Sequence, residues 1–206
     1  MSKTPRKTST GRRDPQSLAG QFLIAMPGMT DKRFARTVVY MCVHSPDSAM
    51  GLIINRRADN ISFSELLEHV DLAGEGADWE AQSEIPDMAV LFGGPVEQQR
   101  GFVLHSADYK AKRRTLAVEK SICLTATVDI LKAIAEGKGP SRALLALGYA
   151  GWAGGQLEAE IRANGWLCCA ADSDIIFDPV LEHKYERALK AMGVDQGHLV
   201  SEAGHA

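Results

Sequence analysis

QFLIAMPGMTDKRFARTVVYMCVHSPDSAMGLIIN, residues 21–55, holds three strand-like apolar runs in close succession. The first, QFLIAM at 21–26, is closed by Pro27 and Gly28, the punctuation of a strand entering a turn. The second, RTVVYMCVH at 36–44, is rich in β-branched residues and stops at Ser45-Pro46-Asp47; the third, MGLIIN, covers 50–55. Parallel neighbours need a connection of about a dozen residues or more, so the three runs lie too close for helical crossovers between all of them. Antiparallel or mixed pairing is therefore expected here.

Downstream, Ser62 and Glu65 form a capping box with Ile61 and Leu66 at staple positions, predicting a helix to about Val70. Residues 73–87 are polar, glycine-bearing and acidic, as in a surface loop. Residues 88–92 and 101–105 (GFVLH) read as two strands around the Gly93-Gly94-Pro95 break. Residues 116–118 and 122–124 are strand-like, and Thr125 or Thr127 can cap a helix carrying Ile130, Leu131 and Ile134. RALLALGY at 142–149 has the nearly continuous apolar character of a central strand buried on both faces. A short helix is expected at 156–163 and a strand at 166–171. The last helix opens on an Asp178 N-cap with Pro179 at its first position, and carries Leu181, Tyr185, Ala188, Leu189 and Met192 in one stripe. Clustered strands with interspersed helices favour α+β over a doubly wound sheet.

A length of 206 residues fits about one domain, with a composition 45% hydrophobic and 24% charged that supports a core without metals or disulfides. Residues 1–17 contain Lys3, Arg6, Lys7, Arg12 and Arg13 and read as a disordered basic tail, leaving 18–206 as a single α+β domain. That remainder has 18 basic and 25 acidic residues, which disfavours a broad phosphate-binding face. No apolar run reaches the length of a membrane span, and the first 17 residues lack a signal-peptide core. With four cysteines in no zinc or C-x-x-C spacing, the expected compartment is the cytoplasm. Cys168 and Cys169, adjacent on a strand, should face opposite sides.

Chemistry has few candidate seats. Residues 148–160 (GYAGWAGGQLEAE) place four glycines between a buried strand and a helix start, either an anion-binding turn or close packing with Trp152 filling a core gap. Asn55 and Arg56 end the third strand, where Arg56 can grip a carboxylate or phosphate or pair with an acidic side chain. His105 ends an apolar strand as an acid-base candidate or a structural residue. Lys110, Lys112, Arg113 and Arg114 form the dense basic cluster of the body, either a phosphate contact or a solvated connection. No nucleophile elbow, zinc-protease pair or DNA-reading motif accompanies them.

Taken in order, FLIAMPGM at 22–29, GLIINR at 51–56, FGGPV at 92–96, GFVLH at 101–105, GYAGW at 148–152, GQLE at 155–158 and EAGHA at 202–206 resemble the AlgH/YqgE family of bacterial proteins. The resemblance covers about residues 20–206 and implies an α+β fold with a mixed, largely antiparallel, bifurcated, barrel-like sheet and flanking helices. It carries a transcriptional-regulator label and no agreed reaction, cofactor or metal. Asn55 and Arg56 match the family's Asn-Arg step, while Arg57 stands where the family has Pro. His105, Tyr149, Trp152, Gln156 and Glu160 match blocks expected to border a shared pocket or partner surface. The leading expectation is a non-enzymatic regulatory or interaction module acting indirectly on gene expression through a protein or small-molecule ligand, without direct nucleic-acid or membrane contact. The rival is an enzyme or sensor that binds a small anionic metabolite or nucleotide at the glycine-rich turn.

Overall fold

The computed structural model describes residues 17–59, 61–70, 86–110 and 114–194. Nine strands form one curled half-barrel sheet: β1 (Gln21–Ala25), β2 (Val38–His44), β3 (Ser48–Ile53), β4 (Val90–Phe92), β5 (Val96–Ser106), β6 (Thr115–Ala117), β7 (Ile122–Thr125), β8 (Ala143–Ala153) and β9 (Trp166–Ala170). The order is β6-β7-β5-β8-β3-β2-β1-β9, with β4 also on β8. The three early runs form the expected antiparallel meander, registering Phe22 against Tyr40 and Tyr40 against Leu52. Among the described residues every strand pair is antiparallel except β4 with β8.

The sheet divides along β8. Its first half pairs with β5 and β4, registering Leu145 against both Val103 and Val90, whereas its second half pairs Ala150 with Gly51 and Trp152 with Ala49 of β3. β4 and β3 thus share one edge of β8, one after the other, and the chain following β3 crosses to β4 through the Arg57 to Leu91 bridge. Residues 88–92 and 101–105, expected as strands around a turn, instead flank β8 on opposite sides. Backbone room makes this fork: Gly148 has φ +70, and a Cβ on Gly94 would overlap the backbone of Tyr149 and Ala150. The glycines at 148 and 151 therefore lie inside a strand running to Ala153, and the turn read at 148–155 shrinks to Gly154 and Gly155.

Strand alternation sorts side chains into three cores. Inside the curl, Phe22, Tyr40, Leu52, Phe102, Leu104 and Ala146 pack with Tyr185, Ala188 and Leu189 of α5 (Lys184–Ala191). Outside the first wing, Leu23, Val39, Ile53 and Trp152 pack with Leu157 of α3 (Gln156–Arg162). Outside the second, Val90, Val103 and Leu145 meet α1 (Phe63–Val70) and α2 (Val128–Ala135). Cys168 and Cys169 do fall on opposite faces.

Local signals explain some ends. The Ser62 N–H donates to Glu65 at 2.7 Å and the Glu65 N–H donates to Ser62 Oγ at 3.2 Å, the reciprocal capping box. Thr127 does occupy the N-cap of α2, although its hydroxyl makes no capping bond. The last helix departs from expectation. A short α4 (Ser173–Ile176) precedes it, Asp178 accepts the Val180 N–H at 2.8 Å, and a 3-10 turn at Leu181–His183 leads into α5. Asp178 closes a local turn instead of starting the helix, because Val180 is extended. Residues 1–16 of the basic tail, 73–85 of the polar loop, 111–113 of the basic cluster and the terminal EAGHA lie outside the described residues.

Candidate functional site

Three of the sequence-predicted residues converge on one carboxylate. Glu160, on α3, accepts the Trp152 indole N–H at 2.9 Å and the Trp166 indole N–H at 2.8 Å on one oxygen, and the Gln156 amide at 2.9 Å on the other. Phe34 seals this cluster, with ring centroids 6.4 Å from Trp152 and 5.6 Å from Trp166. Gln156 also accepts the Ala153 N–H through its side-chain oxygen, so a donor at the glycine turn is bonded within the protein. The node ties β8, α3 and β9 together with its donors and acceptors committed internally. Sequence reading missed Phe34 and Trp166; the indole of Trp166, six residues beyond Glu160, was the available signal.

The other four lie elsewhere. Asn55 accepts the Val38 N–H at 2.8 Å and donates to the Arg36 carbonyl at 2.9 Å, fastening the entry of β2. Arg56 donates to the Arg33 carbonyl at 2.9 Å and to that of Lys32 at 3.3 Å, so its protein partners are backbone oxygens of the preceding loop and not an acidic side chain. His105 is fully buried between the Ser106 carbonyl at 2.8 Å and Thr125 Oγ1 at 2.9 Å, and burial lowers its pKa. Tyr149 packs edge-on against Phe102 and, with Trp152, lines an open hollow of about 560 Å³ beside Val96. The residues proposed from sequence therefore serve several distinct places.

A different concavity gathers unspent chemistry. Between β4, the start of β8 and the segment joining α4 to α5 lies a hollow of about 360 Å³, walled by Met88, Leu91, Leu144, Phe177 and Leu181, with Arg57, Asp87, Asp178 and Lys184 as its charged lining. Its volume falls within the range of small-molecule sites, roughly 300–1,000 Å³. Lys184 is 1% exposed, and its ammonium donates to the Ile176 carbonyl at 2.7 Å and the Ile54 carbonyl at 3.0 Å. Burial pushes its pKa down to about 8; the Asp178 carboxylate opposes that shift and the Arg187 charge adds to it. Asp178 is itself held ionised by the Val180 N–H and Arg187. Arg57 makes no side-chain hydrogen bond or ion pair among the described residues. Apolar walls, a weakly basic buried amine, the Arg57 guanidinium and an Asp178 carboxylate already paired with Arg187 suit a small ligand bearing a carboxylate or other anionic head.

Sequence reading did not single out Lys184. Its spacing gave it away: three residues after Leu181 and four before Ala188, it falls inside the apolar stripe. Among the described residues no group of three or more His, Cys, Asp or Glu could hold a metal ion, and no helix is long and apolar enough to cross a membrane.

This divided sheet and the sequence that builds it have counterparts. A family model described as AlgH-like matches residues 22–197. The chain belongs to the AlgH-like family. This AlgH-like protein is 57% identical over 189 residues to a UPF0301 protein of Afipia carboxidovorans, covering 92% of this chain and 90% of that one. It is 54% identical over 209 residues to a UPF0301 protein of Rhodopseudomonas palustris, covering 100% and 98%. The solution structure of the AlgH protein from Pseudomonas aeruginosa matches with a TM-score of 0.74 at 40% identity, over 96% of this chain and 100% of that one. A crystal structure from Corynebacterium diphtheriae, 23% identical with a TM-score of 0.64, shares the fold over 88% and 90% of the two chains.

Proposed function

We propose that this AlgH-like protein is a non-enzymatic, cytoplasmic regulatory module that acts indirectly on gene expression by binding a small anionic ligand in the Arg57–Lys184 hollow. The carrying observation is Lys184, a buried cation held by two carbonyls at the wall of an apolar concavity whose other cation, Arg57, has no partner among the described residues. The committed nitrogens of His105 support a ligand-binding over an acid-base role, because both face internal partners. An excess of acidic over basic residues beyond the tail supports leaving nucleic acid out of the reading.

The test is a thermal-shift screen of small carboxylates and phosphorylated metabolites against the full chain. A ligand present at about 100 times its Kd stabilises by about 2.7 kcal/mol. The shift should vanish in Arg57→Ala while that variant's own stability stays near wild type. A flat screen refutes the reading. A shift unchanged by Arg57→Ala places binding elsewhere.

A second reading keeps the protein partner. Val96, a large apolar side chain 36% exposed, edges the hollow lined by Tyr149 and Trp152, where the Arg100 guanidinium also stacks on Phe102. An aromatic concavity edged by Arg has the composition of an interface core. Val96→Asp should abolish partner capture without altering the small-molecule shift; unchanged capture refutes it.

A further inference from the structure

We propose that Lys184 captures small carbonyl compounds bearing a carboxylate, 2-oxo acids and aldehyde acids, as a reversible imine inside the Arg57–Lys184 hollow. This rests on the same hollow as the ligand-binding reading and adds covalent chemistry to it.

Geometry supplies the argument. A tetrahedral amine nitrogen has four directions. In Lys184 one is the side chain, and two point to the carbonyls of Ile176 at 2.7 Å and Ile54 at 3.0 Å. The fourth has no partner among the described residues, and the residue lines the concavity. In the neutral amine both remaining protons satisfy the two carbonyls, so the free direction is the lone pair, the nucleophile. The same two carbonyls hold the nitrogen in one orientation, which removes the side-chain freedom an exposed lysine must lose on reaction. With a pKa of about 8 against about 10.5 for an exposed lysine, Lys184 carries on the order of 100 times more free amine near neutral pH.

Specificity comes from the rest of the lining. Arg57 presents a guanidinium that matches a carboxylate through two parallel hydrogen bonds. Asp178 would repel an acid, but it already receives the Val180 N–H and Arg187, and Asp87 is exposed at the rim. Apolar walls at Leu91, Leu144 and Phe177 suit a short hydrocarbon chain and limit water. In the reaction the nitrogen lone pair forms a bond to the carbonyl carbon as the carbon-oxygen π bond opens. One nitrogen proton passes through solvent to that oxygen, giving a carbinolamine. Loss of the hydroxyl with the second nitrogen proton releases one water and leaves the imine. No electrons are transferred, and hydrolysis reverses every step.

The experiment incubates the full chain with pyruvate, or with uncharged propanal, and traps imines with cyanoborohydride before peptide mapping by mass spectrometry. Support is a reduction-dependent pyruvate adduct on Lys184 formed at least about tenfold faster than on the exposed Lys138 and Lys190. In Arg57→Gln the pyruvate rate should fall about tenfold or more while the propanal rate holds. Adducts spread evenly over exposed lysines overturn the proposal, and mapping on the wild-type chain keeps this outcome readable even if Lys184→Met fails to fold. Thermal stabilisation by carboxylates without any Lys184 adduct overturns imine capture and leaves the ligand-binding reading intact. Neither adduct nor stabilisation overturns both.

Discussion

Replacing Glu160 by Ala should destabilise the protein by about 3 kcal/mol. Two buried indoles, Trp152 and Trp166, donate to one oxygen of this carboxylate at 2.9 and 2.8 Å, and Gln156 to the other. A hydrogen bond to a charged acceptor contributes about 1.5–3 kcal/mol, and its loss leaves a buried donor without a partner. Two such indole donors set the scale near 3 kcal/mol at the low end of that range, since Glu160 is half-buried and water reaches part of the vacated space. For a chain of this size the melting temperature should fall by about 6–12 °C. Glu160→Gln keeps one carbonyl oxygen for the indoles and should cost about one neutral hydrogen bond, roughly 1 kcal/mol. Urea unfolding followed by tryptophan fluorescence measures both variants. A midpoint for Glu160→Ala indistinguishable from wild type would show that the node contributes nothing net, and the account of how α3 and β9 are fastened to β8 would be wrong.

Other expectations are equally direct. Ser62→Ala removes the reciprocal cap of α1 and should cost about 1 kcal/mol in urea melts, with Ser62→Asp losing less. Asn55→Ala strands the Val38 N–H and the Arg36 carbonyl and should cost about 1–3 kcal/mol, visible as faster amide exchange at Val38. Because the folded pKa of Lys184 is about 8, the unfolded chain holds a proton the native state has released between about pH 8 and 10.5. Stability should therefore rise with pH across that window, by on the order of 3 kcal/mol from this residue, with the full deficit present below pH 8; Lys184→Met should remove that part of the slope in urea midpoints. His105 behaves in the acid range: its lowered folded pKa means stability is complete above about pH 6.5 and falls as pH drops below it, a dependence His105→Gln should flatten.

The fold was legible wherever a local rule had one outcome. Runs at 21–26 and 36–44 are rich in strand-forming apolar residues and end in turn chemistry, and Ser62 with Glu65 makes the bonds its spacing demands. The reading failed where one residue type answers two physical needs. Gly148 and Gly151 looked like a turn, yet they sit within β8 because the Gly93-Gly94 backbone must pass against it. Asp178-Pro179 looked like a helix start, yet the carboxylate closes a turn and the helix waits until Lys184. The site was less legible still. Trp152, Gln156 and Glu160 do meet, but the hollow at Arg57 and Lys184 is assembled from segments about 130 positions apart, which no window of sequence displays.

The seat of β1 carries a consequence for synthesis. Its neighbours are β2, which follows at once, and β9, whose Cys168 pairs with Leu23. At roughly 5–20 residues per second, the ribosome needs about 7–30 s to make the intervening chain. Throughout that interval a strand that is apolar from Phe22 to Ala25 offers a free backbone edge. Newly made chains thus spend seconds as templates for self-association, and holdase chaperones that shield this segment should raise the yield of native protein.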